Sequence, residues 1–227
     1  MTTYATTSGG ANVGLDRDTT FTWYGHACWE VTTPGDKTIL FDPWFGNPIS
    51  PKGADRVERC DLMLVSHGHA DHFGDALMIA SRTRPAWPCI HEMSLWLGRN
   101  YAHKDGLIGM NKGGTVEAAG LKVTMVRADH SGGDIYAGAE SPIYLGEPVG
   151  YVVELDSGFR FYFAGDTDVV GDMRLIGERF RPTLARESRS ASPRASRRRA
   201  QRYSDGTPWS PDRGSLRAGL KRFGPEG

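Results

Sequence analysis

The chain has 227 residues, 39% of them hydrophobic, with 27 basic and 27 acidic side chains; this length supports one α/β domain with a substantial core. No stretch approaches the ~18 apolar residues that a membrane-spanning helix needs, and the polar start, Met1 to Gly10, has neither the basic residues nor the apolar run of a secretory signal. Three cysteines, Cys28, Cys60 and Cys89, are odd in number and lie in or beside apolar segments, so buried thiols in the cytoplasm are expected rather than a disulfide framework.

In chain order, residues 1–18 are expected to form a disordered N-terminal segment and residues 19–185 the folded domain. Residues 21–24 and 27–33 read as strands, Pro34-Gly-Asp36 as a turn, and 38–42 as the returning strand. Residues 62–66, Leu-Met-Leu-Val-Ser, read as a buried strand, followed by a histidine-rich loop. Helices are expected over 75–81, with Asp75 as a cap, and over 91–99. Residues 122–127 alternate as a strand ending at Asp129-His130. Residues 150–156 and 159–163 flank Ser157-Gly158 as a hairpin that ends at Asp166, and 172–180 close with a helix. The order suits two mixed sheets between helices.

The loop reads His67-Gly-His-Ala-Asp-His72. Three imidazoles and a carboxylate within six residues point to metal, because imidazole is the commonest ligand for divalent transition ions. On a segment leaving a strand, residues two apart face the same way, so His67 and His69 can reach one ion while Asp71 and His72 turn toward a second. That spacing favours two ions. Elsewhere, His91 and His103 fit no motif and read as surface histidines. The Gly113-Gly114 pair lacks the spacing of a phosphate-binding loop.

The His-x-His-x-Asp-His run resembles the signature of the metallo-β-lactamase-fold hydrolases. More of residues 20–185 agrees: Trp23-Tyr-Gly-His-Ala-Cys-Trp29, Ile39-Leu-Phe-Asp-Pro-Trp44, Gly109-Met-Asn-Lys-Gly-Gly-Thr115, Asp129-His-Ser131 and Phe163-Ala-Gly-Asp-Thr167. These are similar to bacterial metal-dependent hydrolases related to ascorbate-6-phosphate lactonase. The resemblance implies an αββα sandwich and a dinuclear centre whose bound hydroxide attacks an ester, lactone or phosphodiester. It implies that His67, His69 and His130 hold the first ion, that Asp71 and His72 hold the second, and that Asp166 bridges, with Asp71 as the catalytic residue. Asp42 would orient a ligating histidine. His26 falls at the rim, where packing and substrate contact stay open alternatives. Zinc is the first choice of ion and manganese the second.

The resemblance stops near residue 185. From Arg186 onward there are eleven of the 27 basic residues and four of the 27 acidic ones, which leaves sixteen against twenty-three before it. A segment rich in Arg, Ser and Ala cannot bury enough surface to offset its ordering entropy, so residues 186–227 are expected to be a disordered basic tail, readable as a frameshift product. The family's late histidine has no counterpart among these residues, since none follows His130. The final strands and helix of the fold are therefore expected to be missing or disordered. A catalytically impaired metal-binding remnant is accordingly the alternative to an active enzyme. The partner expected is a small-molecule substrate; a nucleic-acid partner is not expected from so interrupted a basic stretch, and homo-oligomerisation stays open.

Overall fold

The computed structural model describes residues 18–51, 53–136 and 140–186; the expectations for residues up to 17 and beyond 186 lie outside the described residues. The chain opens with β1 (Thr20–Trp23), β2 (Trp29–Thr32), β3 (Thr38–Phe41) and β4 (Leu62–Leu64), which form one sheet in that order. The first three strands run antiparallel, and β4 lies parallel to β3. Helices α1 (Ala70–Phe73) and α2 (Ala76–Thr83) follow, then β5 (Trp87–Ile90), α3 (His91–Asn100) and β6 (Leu107–Met110). Strands β5 and β6 pair in parallel, and a bridge between Leu62 and Ala86 ties them to β4.

The second half contributes β7 (Thr115–Ala118), β8 (Leu121–Arg127), the two-residue strands β9 (Gly133–Asp134) and β10 (Ile143–Tyr144), β11 (Val149–Glu154), β12 (Arg160–Phe163), α4 (Asp172–Phe180) and β13 (Leu184–Arg186). Five of these strands make a sheet in the order β13-β12-β11-β8-β7. Its side chains obey the two-residue period of a sheet covered on both faces. Val123, Met125, Tyr151, Val153, Phe161 and Phe163 enter the main core, while Val126, Val152, Tyr162 and Ala164 face a smaller cluster closed by Ile176 of α4.

Aromatic rings join the sheets: Phe41 of β3 stacks on Phe163 of β12 at 4.5 Å, and Phe21 of β1 meets Phe161 edge-on at 5.2 Å. On the other side of the core, α2 and α3 bury Ile79, Ala80, Met93 and Leu97. The result is the mixed α/β sandwich expected, with helices outside two facing sheets. Arg186, assigned to the basic tail on sequence grounds, is the last residue of β13 and lies over the Trp29 ring at 4.3 Å. Among the described residues no helix is long and apolar enough to cross a membrane.

Strands β5, β6, β7, β9, β10 and β13 and the one-turn helix α1 were not foreseen. Each has four residues or fewer, and β5 carries Pro88, which weakens any strand signal.

Candidate metal centre

The centre lies where strands of both sheets end. From β4 the chain runs through buried Ser66 and His67 into α1. Gly68 is required by close approach, since a Cβ there would lie 2.8 Å from Gly132 O and 2.9 Å from Leu145 Cβ. Residues in and just after β9 clamp this turn: Asp134 Oδ2 accepts from Ala70 N at 2.7 Å, and the Tyr136 hydroxyl donates to Gly68 O. The second sheet holds it from behind, with Val149 N donating to Ser66 O at 2.9 Å and the Tyr151 hydroxyl to Val65 O at 2.8 Å.

Five of the seven histidines gather here. His67 Nε2 and His69 Nδ1 are 2.9 Å apart, and the His130 ring, just past the end of β8, lies 5.0 Å from each of theirs. Ligand atoms of these three fall within 4.8 Å of one another. Asp166, past the end of β12, places Oδ2 at 3.2 Å from His72 Nε2 and 3.8 Å from His130 Nε2. Asp71 points instead to His26, whose Nε2 lies 3.1 Å from Asp71 Oδ2. His91 and His103 fall outside this group.

Asp42 sets the protons of two of these rings. Its carboxylate is fully buried, accepting from Ser66 N through Oδ1 and from Ser66 Oγ and His72 Nδ1 through Oδ2, each at 2.7 Å. Because the Ser66 hydroxyl spends its only proton on Asp42, its oxygen must accept from His67 Nδ1, 2.9 Å away. Both imidazoles therefore carry hydrogen on Nδ1 and turn Nε2 inward. Residue 42 takes a left-handed backbone, φ +41°, which aspartate tolerates better than most residues.

Electrostatics follow from this crowding. Burial, reinforced by the neighbouring His72 and His69, pushes the His67 pKa far down. Burial, then the nearby His130, also lowers His69. Burial pushes His72 down too, but the Asp42 and Asp166 carboxylates outweigh it and raise the group to about 10. The His26 ring holds the Asp71 carboxyl down at about 2.

The donor set fits divalent cations. Ligands ~2.0–2.2 Å from one ion, at tetrahedral or square angles, lie ~2.8–3.6 Å apart; the facing donor pairs His67–His69, His26–Asp71 and His72–Asp166 are separated by 2.9 to 3.2 Å, and His130–Asp166 by a slightly longer 3.8 Å. Buried His72 Nε2 and Asp166 Oδ2 face each other at 3.2 Å, a separation that two ligands of one ion would have.

Residues 37–185 match the family model described as a beta-lactamase superfamily domain. The chain belongs to the beta-lactamase superfamily. As a superfamily member it is 41% identical over 174 residues to a UPF0173 metal-dependent hydrolase of Roseiflexus castenholzii, covering 75% of this chain and 70% of that protein. A second such hydrolase, from Rubrobacter xylanophilus, is 44% identical over 171 residues, covering 74% and 68%. Among solved structures, a metallo hydrolase from the archaeon Ignicoccus hospitalis is 32% identical with a TM-score of 0.62, covering 74% of this chain and 69% of its own. An isothiocyanate hydrolase from Delia radicum gut bacteria, 20% identical with a TM-score of 0.51, shares the fold. This superfamily member is a metal-dependent hydrolase.

The structure thus brings His26, Asp42, His67, His69, Asp71, His72, His130 and Asp166 into one centre. Sequence reasoning missed Ser66, the relay to His67, and Ser131, whose Oγ lies 3.2 Å from His69 Nε2. A serine immediately before the histidine run was the available signal for the first. The second adjoins His130 and could have been weighed with it.

Proposed function

We propose that this hydrolase works with two divalent ions, zinc by first preference and manganese by second, on an ester, lactone or phosphodiester of a small molecule. His67, His69 and His130 would hold one ion, Asp71 and His72 the other, and Asp166 would bridge. The observation that supports this reading is the position of Asp166 Oδ2, within 3.2 Å of His72 and 3.8 Å of His130, so that one carboxylate faces both sets of donors. Bound there, the ions would supply a water acidified enough to act as nucleophile near neutral pH, together with Lewis acidity toward the substrate oxygen.

The chain's own residues do the rest. Asp42, directly and through Ser66, holds hydrogen on Nδ1 of His72 and His67, which leaves Nε2 of each as the ring nitrogen available to an ion and keeps the rings fixed. Asp71, side chain 42% exposed, is the ligand open to the substrate side, whereas His72 is fully buried behind it. The test is turnover of p-nitrophenyl acetate, a simple lactone and bis(p-nitrophenyl) phosphate by the metal-loaded chain. We expect at least one of the three to be hydrolysed, and Asp71→Ala to abolish that turnover with an unchanged circular dichroism spectrum. Full activity in Asp71→Ala would refute the assignment. No hydrolysis of any of the three by protein carrying two ions would refute the proposed substrate class.

A further inference from the structure

His26 is the one histidine of the centre that comes from neither the histidine run nor the end of β8. It sits in the turn between β1 and β2, closed by Tyr24 N donating to Cys28 O and Cys28 N donating to Gly25 O, each at 2.9 Å. Two consecutive residues take left-handed backbone there, Gly25 at φ +102° and His26 at φ +49°. Any side chain at 25 would collide with the Asn47 amide, and that amide donates to Tyr24 O at 3.0 Å and to Trp44 O at 2.7 Å. Trp44 packs edge-on against the His26 ring at 5.3 Å, and Trp23 Nε1 donates to the His26 carbonyl at 2.9 Å. A backbone conformation that side chains rarely adopt is thus held from several directions, and its effect is to fix one imidazole.

That imidazole faces the second set of donors. Its Nε2 lies 3.1 Å from Asp71 Oδ2, its ring lies 4.9 Å from the His72 ring, and ligand atoms of His26, Asp71 and His72 fall within 4.8 Å of one another. The side chain is only 12% exposed. The first set of donors has three imidazoles of its own, whereas Asp71 and His72 alone would give the second ion only two ligands besides the shared Asp166. With Asp166 that reaches the three protein ligands of an open zinc site, and His26 would bring the second set to three of its own, matching the first.

We propose that His26 is a direct ligand of the second ion, completing with Asp71 and His72 a three-residue set that Asp166 joins from the other side. This rests on the two-ion reading above. It moves His26 from the rim of the site into its coordination sphere. It also makes the β1–β2 turn, which lies far from the histidine run in sequence, a structural requirement of the metal centre. The competing role is that His26 only donates a hydrogen bond to Asp71. The two roles separate in His26→Gln, whose amide nitrogen can reach the position of Nε2 and donate to Asp71 but is a far poorer ligand than imidazole.

The experiment titrates the metal-free full chain, and the His26→Gln chain, with cobalt(II) alone, following the visible absorption of the bound ion and the heat of binding. The wild type is expected to take about two equivalents. In His26→Gln the first should bind as in the wild type, which also reports a folded first site. The second should weaken by ~100-fold or more, at or beyond the upper end of what loss of a supporting hydrogen bond costs. A second equivalent bound with wild-type affinity by His26→Gln would overturn the proposal and leave the two-ion reading standing. A wild type that takes up only one equivalent would overturn both. A measurement on unmutated protein closes the case in which the variant fails to fold. In the cobalt-loaded wild type, the ring N–H resonance of His26 should be shifted as far as those of the other ligating histidines, because a direct bond passes spin density into the ring, and a clearly smaller, through-space shift would overturn the proposal.

Discussion

At the scale of single residues, Asp42 governs the centre without facing it. A buried carboxylate is costly unless its lone pairs are filled, and here a backbone amide, a hydroxyl and an imidazole fill them. The consequence is measurable through pH. In the metal-free protein His72, raised to about 10, carries a proton between Asp42 and Asp166 at neutral pH. An ion bound at Nε2 must displace that proton, so apparent zinc affinity should rise about tenfold per pH unit between pH 7 and 10 and level off above. The sign for stability follows from the same raised group. Its contribution to the metal-free fold is fully present below about 6.5, the pKa in the unfolded chain, and is lost as pH rises through about 10. Competition with a chromophoric chelator at pH 7, 8 and 9 measures the first effect. Asp42→Asn should flatten the slope, and a slope of zero in the wild type would contradict the assigned proton.

At the scale of elements, the site depends on turns more than on strands. Gly68 lets the histidine run pass close against Gly132, just before β9, and Leu145, just after β10, where a Cβ would lie under 3 Å from each. Gly68→Ala should cost ~1–3 kcal/mol, the usual range for forcing atoms into a packed region, and should weaken metal binding by displacing His67 and His69. Thermal unfolding checks the first part, and an unchanged melting temperature would show that the clamp yields freely. The histidine run and the hairpin of β11 and β12 were legible in the sequence because each is a dense local pattern. Asp42 and Asp166 were legible only through resemblance, since an aspartate at a strand end has no chemical signature of its own. The pairing of His26 with Asp71 joins residues forty-five positions apart through a left-handed turn. No periodicity encodes that contact.

At the scale of the whole molecule, each sheet brings donors that the other lacks. The first sheet and its turns deliver His26, Asp42 and the histidine run, while β8 and β12 of the second lead to His130 and Asp166. The sheets already adhere through the stacked rings of Phe41 and Phe163. Ions held by both would add a second tie at the open end. At free metal ~100-fold above its dissociation constant, binding stabilises the folded state by ~2.7 kcal/mol. For a domain of this size that corresponds to ~5–10 °C. Calorimetry before and after chelation should show such a drop, restored when metal is returned, and an unchanged transition in demonstrably metal-free protein would show that the ions do not tie the sheets.

The most direct test of the dinuclear centre is the metal content of untagged chain purified without chelator, measured by inductively coupled plasma mass spectrometry. Two equivalents of zinc or manganese per chain are predicted. One equivalent or less, after the protein has been offered both ions, would contradict the account and favour a metal-binding remnant over a working hydrolase.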